Sequence, residues 1–149
     1  MTAFPFAHAG VTDDSPAWNG WRDLAERCLD QLKTPRRGTG LLYVTDPLGA
    51  EIEDILSYVR ERTGLRTWRG AVAPAICATG VEYFDTPAMA LMVLDLPDRA
   101  MAVFPGEPES NDLQVASQAQ LAIVHADPRQ PSVMQAMPDL AKTTGAYLV

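Results

Sequence analysis

The chain lacks any long hydrophobic run: no apolar segment approaches the ~20 residues that a helix needs to cross a membrane. It is also poor in positive charge, with 12 Lys and Arg against 19 Asp and Glu and a formal net charge of −7. Binding to nucleic acid needs clustered cations, so this balance argues against a nucleic-acid partner. The first ten residues, MTAFPFAHAG, have neither the basic stretch nor the apolar length of a signal peptide. We therefore expect a cytoplasmic protein that binds neither membranes nor nucleic acids.

Cysteine and histidine are scarce, with two of each. Cys28 and Cys77 have no metal-binding spacing, and we interpret both as reduced thiols in the core. Cys28 lies on an apolar helical stripe, which argues against a catalytic thiol. His8 and His125 lie near the ends of predicted strands, so a haem ligand is the alternative to an ordinary partly buried histidine. We predict no metal site and no cofactor, with haem as the alternative.

Catalytic and nucleotide-binding motifs are missing as well. The sequence contains neither a Walker-type loop nor a GxGxxG fingerprint. Glu82 and Asp85 can in principle exchange protons, but no nucleophile with a partnered base accompanies them. We therefore predict that the protein is not an enzyme and has no catalytic residues.

The pattern that is present predicts an α/β or α+β fold. At 149 residues and 47% hydrophobic composition, the chain can form an ordinary globular domain. Apolar spacing indicates helices over about 16–33 and 50–62, the second ending at Thr63-Gly64. We expect a mixed sheet of about six strands flanked by two to three helices.

The stretch from Thr67 to Leu96 carries the candidate site. Ala88 to Leu94 is wholly apolar, which is typical of a strand covered on both faces. Before it, Gly70 and Gly80 bracket small residues that we interpret as a loop, where backbone amides can approach a ligand. Arg66 and Arg69 precede this loop and can meet a ligand carboxylate. The residues predicted to bind a ligand are Arg69, Gly70, Ala71, Cys77, Thr79, Gly80 and Glu82.

The chain also contains a partial internal repeat. A shift of 81 positions places Asp46-Pro47 on Asp127-Pro128 and Thr63-Gly64 on Thr144-Gly145. We predict a first lobe over 1–104, a Pro-rich acidic linker over 105–118 and the start of a second lobe over 119–149. Pro138 is expected to interrupt the second helix. Because the second copy stops inside a strand, we expect self-association through an uncovered edge or apolar face.

Taken in order, several segments resemble the FIST domain, a sensory module named for F-box and intracellular signal transduction proteins. The segments are Phe6-Ala7 before a Trp-containing helix, LLYVTDP (41–47), Thr63-Gly64, Gly70, Gly80-Val81-Glu82-Tyr83 and PAMALMVLDLP (87–97). The resemblance implies a non-catalytic sensor of a small ligand, such as an amino acid or another small anion. It also implies an output to a signalling protein such as a kinase or cyclase, and some similar proteins are haem-based gas sensors. The alternative from another class is a protein-interaction or scaffold domain without a ligand.

Overall fold

The computed structural model describes residues 5–12, 18–32, 38–96, 100–103, 119–127 and 129–149. The chain divides into two compact units, Met1–Asp98 and Arg99–Val149. The linker predicted over 105–118 lies outside the described residues. Within the described ranges, no helix is both long enough and apolar enough to cross a membrane.

The fold is mixed α/β, as the sequence predicts. In chain order the first unit contains β1 (Phe6–Gly10), α1 (Trp21–Leu29), β2 (Thr39–Thr45), α2 (Ile52–Thr63), β3 (Thr67–Ala73), β4 (Ala75–Ala78), β5 (Val81–Phe84) and β6 (Ala88–Leu94). The second contains β7 (Leu121–Ala122), α3 (Pro131–Thr144) and β8 (Tyr147–Leu148). The mixed sheet is confirmed, but it has four strands and not six, because β4 pairs only with β5 and β7 only with β8 in the described part.

The main sheet has the strand order β1, β6, β2, β3. β6 runs antiparallel to its neighbours β1 and β2, whereas β2 and β3 are parallel. Parallel neighbours need a long connection, which α2 supplies as the helix of a βαβ unit. Among the described strands, β3 therefore forms one edge of the sheet.

Short-range hydrogen bonds define the two ends of α2. A short 3₁₀ helix, Asp46–Glu51, leads into it. At its end Gly64 has φ 73° and its N–H donates to the carbonyl of Arg60 at 2.9 Å. The Thr63 hydroxyl donates to the carbonyl of Val59 at 2.7 Å and accepts from the N–H of Leu65 at 3.3 Å. The predicted glycine helix end is confirmed, because Gly64 takes the left-handed conformation that commonly ends helices and that glycine adopts without strain.

Both helices of the first unit contribute to one hydrophobic core with the main sheet. The side chains that meet there include Leu24 and Cys28 of α1, Ile55 and Val59 of α2, and Leu42, Val44, Met89 and Leu91 of the sheet. All eight are buried. The strand residues alternate along β2 and β6, so this core lies on one face of the sheet.

The hairpin of β4 and β5 covers part of the opposite face. Ile76 and Tyr83 of the hairpin are buried in a cluster with Ala88 of β6. The expectation that β6 is covered on both faces therefore holds at its start. It is wrong further along, where Met92 is 39% exposed. The hairpin strands have only four residues each and do not extend over the rest of β6.

The second unit is a smaller βαβ arrangement. β7 and β8 are parallel and α3 connects them. Contrary to expectation, Pro138 lies inside α3 without interrupting it. A proline there leaves the carbonyl four residues earlier, that of Met134, without its helical donor. Because Met134 is 73% exposed, water can replace that donor.

The helix ends of the two units match at the offset of 81. Gly145 has φ 68° and donates to the carbonyl of Ala141 at 2.9 Å. The Thr144 hydroxyl donates to the carbonyl of Leu140 at 2.8 Å and accepts from the N–H of Ala146 at 3.2 Å. These are the same bonds, at positions shifted by 81, that close α2. The predicted repeat is therefore reproduced in local geometry at this cap.

The strands around the two helices do not keep the same spacing. Thr39 pairs with Thr67, which are 28 positions apart, whereas Leu121 pairs with Tyr147, which are 26 apart. The ungapped alignment therefore does not extend through both strands. Helix caps depend on neighbouring residues, but strand register depends on how the connections close.

One face of the β7–β8 sheet is apolar and uncovered. Leu121 lies opposite Tyr147, and Ile123 and Val149 follow two residues later on the same face. These four side chains are between 41% and 72% exposed. Ile123, which the offset aligned with the core residue Leu42, therefore lies outside the core. An exposed apolar face of this kind is typical of an interaction surface.

Candidate functional site

The residues predicted to bind a ligand separate into two groups. Arg69, Gly70 and Ala71 lie on β3, whereas Cys77, Thr79, Gly80 and Glu82 lie on the hairpin. The predicted loop between Gly70 and Gly80 is wrong, because β3 continues to Ala73 and β4 follows directly after Pro74. Gly70 lies within an edge strand, and Pro74 joins two strands. Glycine and proline therefore mark a position within a strand and a junction between two strands here, and not a loop.

The hairpin group faces solvent. Cys77 and Glu82 are direct partners across β4 and β5, and both are exposed. The two-residue turn contains Gly80, whose φ of 79° favours glycine. Because alternate residues of β4 point to opposite faces, Ile76 takes the buried side and Cys77 the outer one. The expectation that Cys77 is a core thiol is therefore wrong.

The β3 group lines a groove of about 350 Å³ between α2 and β3. Its walls are Ile52 and Leu56 of the helix, with Leu42, Trp68 and Val72 of the strands. Gly70 and Ala71 also line it, and Arg69 is the one charged residue among the lining residues that the structure describes. The result is an apolar recess with a single cation beside it. Sequence reasoning identified the β3 residues but not Ile52 and Leu56, which lie in the helix predicted over about 50–62.

Two glycines give this groove its shape. A Cβ at Gly40 would lie 2.3 Å from the Trp68 indole, so the ring packs directly over the glycine backbone. The indole Nε1 then donates to the carbonyl of Leu65 at 3.1 Å. At Gly70 φ is 153°, and a Cβ would lie 1.6 Å from the Leu42 carbonyl oxygen. The backbones of β2 and β3 therefore lie so close together at this position that only glycine, which has no Cβ, fits there.

The Arg69 side chain is held by the backbone carbonyl of the preceding residue. Its Nη1 donates to the carbonyl of Trp68 at 3.1 Å, and the side chain is exposed. Within the described part of the chain, no carboxylate lies at ion-pairing distance from it. Arg66, the other candidate, is exposed and does not line the groove. Arg69 is therefore the only basic residue among the described residues that line this recess.

A second recess, of about 390 Å³, lies on the outer surface of α1 and α2. The Arg22 guanidinium carbon lies 5.0 Å from the centre of the Trp21 ring and 4.6 Å from that of Tyr58. Arg62 contacts Tyr58 and forms an ion pair with Glu26. The aromatic faces are thus already occupied by the protein's own arginines, in cation–π contacts that join the two helices.

A polar contact joins the hairpin to β1. The Tyr83 hydroxyl and His8 Nδ1 are 2.9 Å apart. Burial raises the pKa of the Tyr83 phenol above its ordinary value. Gly10 makes room for this ring, since a Cβ there would lie 2.3 Å from it. His8 is therefore a partly buried histidine with a hydrogen-bond partner, and haem ligation by it remains the alternative to the predicted absence of a cofactor.

Cys28 provides a direct test of the core. It is fully buried, its Sγ lies 3.6 Å from the Met89 carbonyl, and burial raises its pKa to about 12. Because the thiolate is the reactive form, we expect native Cys28 in a Cys77→Ser protein to react with a maleimide at least about 100-fold more slowly than Cys77 in a Cys28→Ala protein. Mass spectrometry of timed samples at pH 8 measures both rates. Rapid native labelling of Cys28, or equally slow labelling in denaturant, would contradict this explanation.

Comparison with known proteins does not suggest an activity for this site. No family model matches the chain, and no curated protein or solved structure matches it either. The resemblance to the FIST domain therefore rests on the residues of the sequence. In the described residues, no group of three or more His, Cys, Asp or Glu side chains is arranged to hold a metal ion. A functional proposal has to start from the groove between α2 and β3.

Proposed function

We propose that the first unit is a non-catalytic binding module that takes a small ligand, with an apolar body and a carboxylate, in the groove between α2 and β3. The observation that carries the proposal is Arg69 beside an otherwise apolar recess. In the cytoplasm such a module acts as a sensor and passes the bound state to a signalling protein such as a kinase or cyclase. This role agrees with the resemblance to the FIST domain.

The size and the lining of the groove limit the chemical class of the ligand. Its volume of about 350 Å³ falls in the range of small-molecule pockets. A guanidinium binds a carboxylate with two parallel hydrogen bonds, which Arg69 can offer once it leaves the Trp68 carbonyl. Among the described residues of the lining there is no acidic side chain to receive an ammonium group. Among ligands related to amino acids, this favours a carboxylate whose amine is blocked or absent.

N-acetyl-L-leucine is a suitable probe of this proposal. We expect calorimetry to detect binding, and Arg69→Gln to weaken it at least about tenfold, because a charge-assisted hydrogen-bond pair is lost. Arg66→Gln is the matched control and is expected to leave the affinity unchanged, since Arg66 lies outside the groove. Absence of binding at millimolar concentrations, or equal losses in the two variants, would overturn the proposal.

A protein-interaction role is the second candidate, and the uncovered face of the β7–β8 sheet favours it. A second copy of the chain is one partner that can cover Leu121, Ile123, Tyr147 and Val149. We expect light scattering to show a mass that rises with concentration, and Tyr147→Lys to suppress the rise. Met134→Lys, which places the same charge at an exposed position on α3, is the control. A constant monomer mass for the unmodified chain would contradict self-association.

A further inference from the structure

We infer that the groove binds an extended polypeptide segment ending in a free carboxylate, which adds as a strand to the open edge of β3. The inference rests on the proposed function and names the class of ligand. Three observations support it: the edge of β3 left unpaired in the described sheet, the length of the groove and the position of Arg69.

In the part of the chain that the structure describes, the outer edge of β3 has no paired strand. β3 has seven residues and is paired only with β2 in the described sheet. Gly70 and Val72 on this strand are exposed. The Trp68 carbonyl accepts a hydrogen bond from the Arg69 guanidinium, and an added strand that used this carbonyl would replace that bond. Unpaired strand edges are templates for an added strand. Here the added strand would displace the Arg69 side chain from the Trp68 carbonyl.

The groove is longer than one amino acid. Its lining follows β3 from Trp68 to Val72. At ~3.3 Å per residue those four steps extend over about 13 Å. In an added strand every second side chain would point toward α2, where Ile52 and Leu56 form the opposite apolar wall. An extended segment with apolar residues at alternate positions matches this shape along its whole length.

The position of Arg69 sets the direction of the segment. Arg69 lies near the Trp68 end of the groove, and the lining toward Val72 is apolar. A terminal carboxylate bound there places the preceding residues toward Val72. The segment therefore runs opposite to β3, as an antiparallel neighbour. Its charge is complementary to the arginine, and its apolar side chains are complementary to the walls.

The test uses the full chain and acetyl-Thr-Val-Thr-Leu with a free carboxylate. We expect calorimetry to show at least about tenfold tighter binding of this peptide than of N-acetyl-L-leucine, because the peptide adds backbone pairing and a second apolar contact. Its carboxamide form should bind at least about tenfold more weakly than the acid. Two further peptides carry N-methyl groups on one or the other set of alternate amides. Only one set faces β3, so one of them should lose binding and the other should keep it.

The outcomes separate the inference from the proposed function. If N-acetyl-L-leucine binds as tightly as the peptide, the inference fails and the proposed function stands. If both N-methylated peptides bind like the unmodified one, strand addition is excluded. If the carboxamide binds as well as the acid, the terminal carboxylate is not recognised and the inference fails. If neither N-acetyl-L-leucine nor the peptide binds, both proposals fail.

Discussion

Gly70→Ala is expected to destabilise the first unit by about 3 kcal/mol or more. The backbone conformation at this position, with φ 153°, costs ~1–3 kcal/mol for a residue with a Cβ. The added Cβ would also lie 1.6 Å from the Leu42 carbonyl oxygen, which belongs to the neighbouring strand. Backbone atoms cannot rotate away as a side chain can, so β2 and β3 would have to separate. Urea denaturation followed by circular dichroism measures the loss.

Gly49→Ala is the matched control for this substitution. A Cβ at Gly49 would lie 3.4 Å from a methyl carbon of Val72, which is an ordinary contact distance. Its φ lies outside the left-handed region, so alanine fits without strain. We expect a change within about 1 kcal/mol in either direction, since alanine at a compatible glycine position also restricts the unfolded chain. A Gly70→Ala protein as stable as Gly49→Ala would contradict the close approach of the two strands.

Leu91→Ala is expected to cost ~2–5 kcal/mol, the range for emptying a packed core position. Leu91 is 2% exposed and lies between Ala7 and Leu42, its register partners on the two flanking strands. The cavity would open in the buried cluster that Leu91 forms with residues of both helices. The same denaturation experiment measures the effect.

Met92→Ala supplies the comparison at the next position of the same strand. Met92 points to the opposite face and is 39% exposed, so its truncation is expected to cost less than about 1 kcal/mol. The contrast between adjacent residues tests which face of β6 carries the core. Similar losses for both variants would mean that the two faces of β6 are equally covered at this point.

The sequence by itself determined the features that depend on nearby residues. Apolar spacing of three and four residues identified α2, and Thr63-Gly64 marked its end, because a helix and its cap are closed by hydrogen bonds over four positions. The same reasoning placed Cys28 on the buried side of α1. It also found the repeat at Thr144-Gly145, since two identical caps need only the same local residues.

Only the tertiary structure decided which strand faces are covered and where a groove forms. Gly70 looked like a loop residue because glycine permits both loops and close strand contact, and the contact is with Leu42, far away in sequence. Met92 lies on an outer face because a short hairpin covers Ala88 and little beyond it, and Cys77 lies on the outer side of that hairpin. The groove needs α2 beside the free edge of β3, which follows from the strand order. Local patterns carry no information on that order, because it is set by long-range pairing and by burial of one face against another.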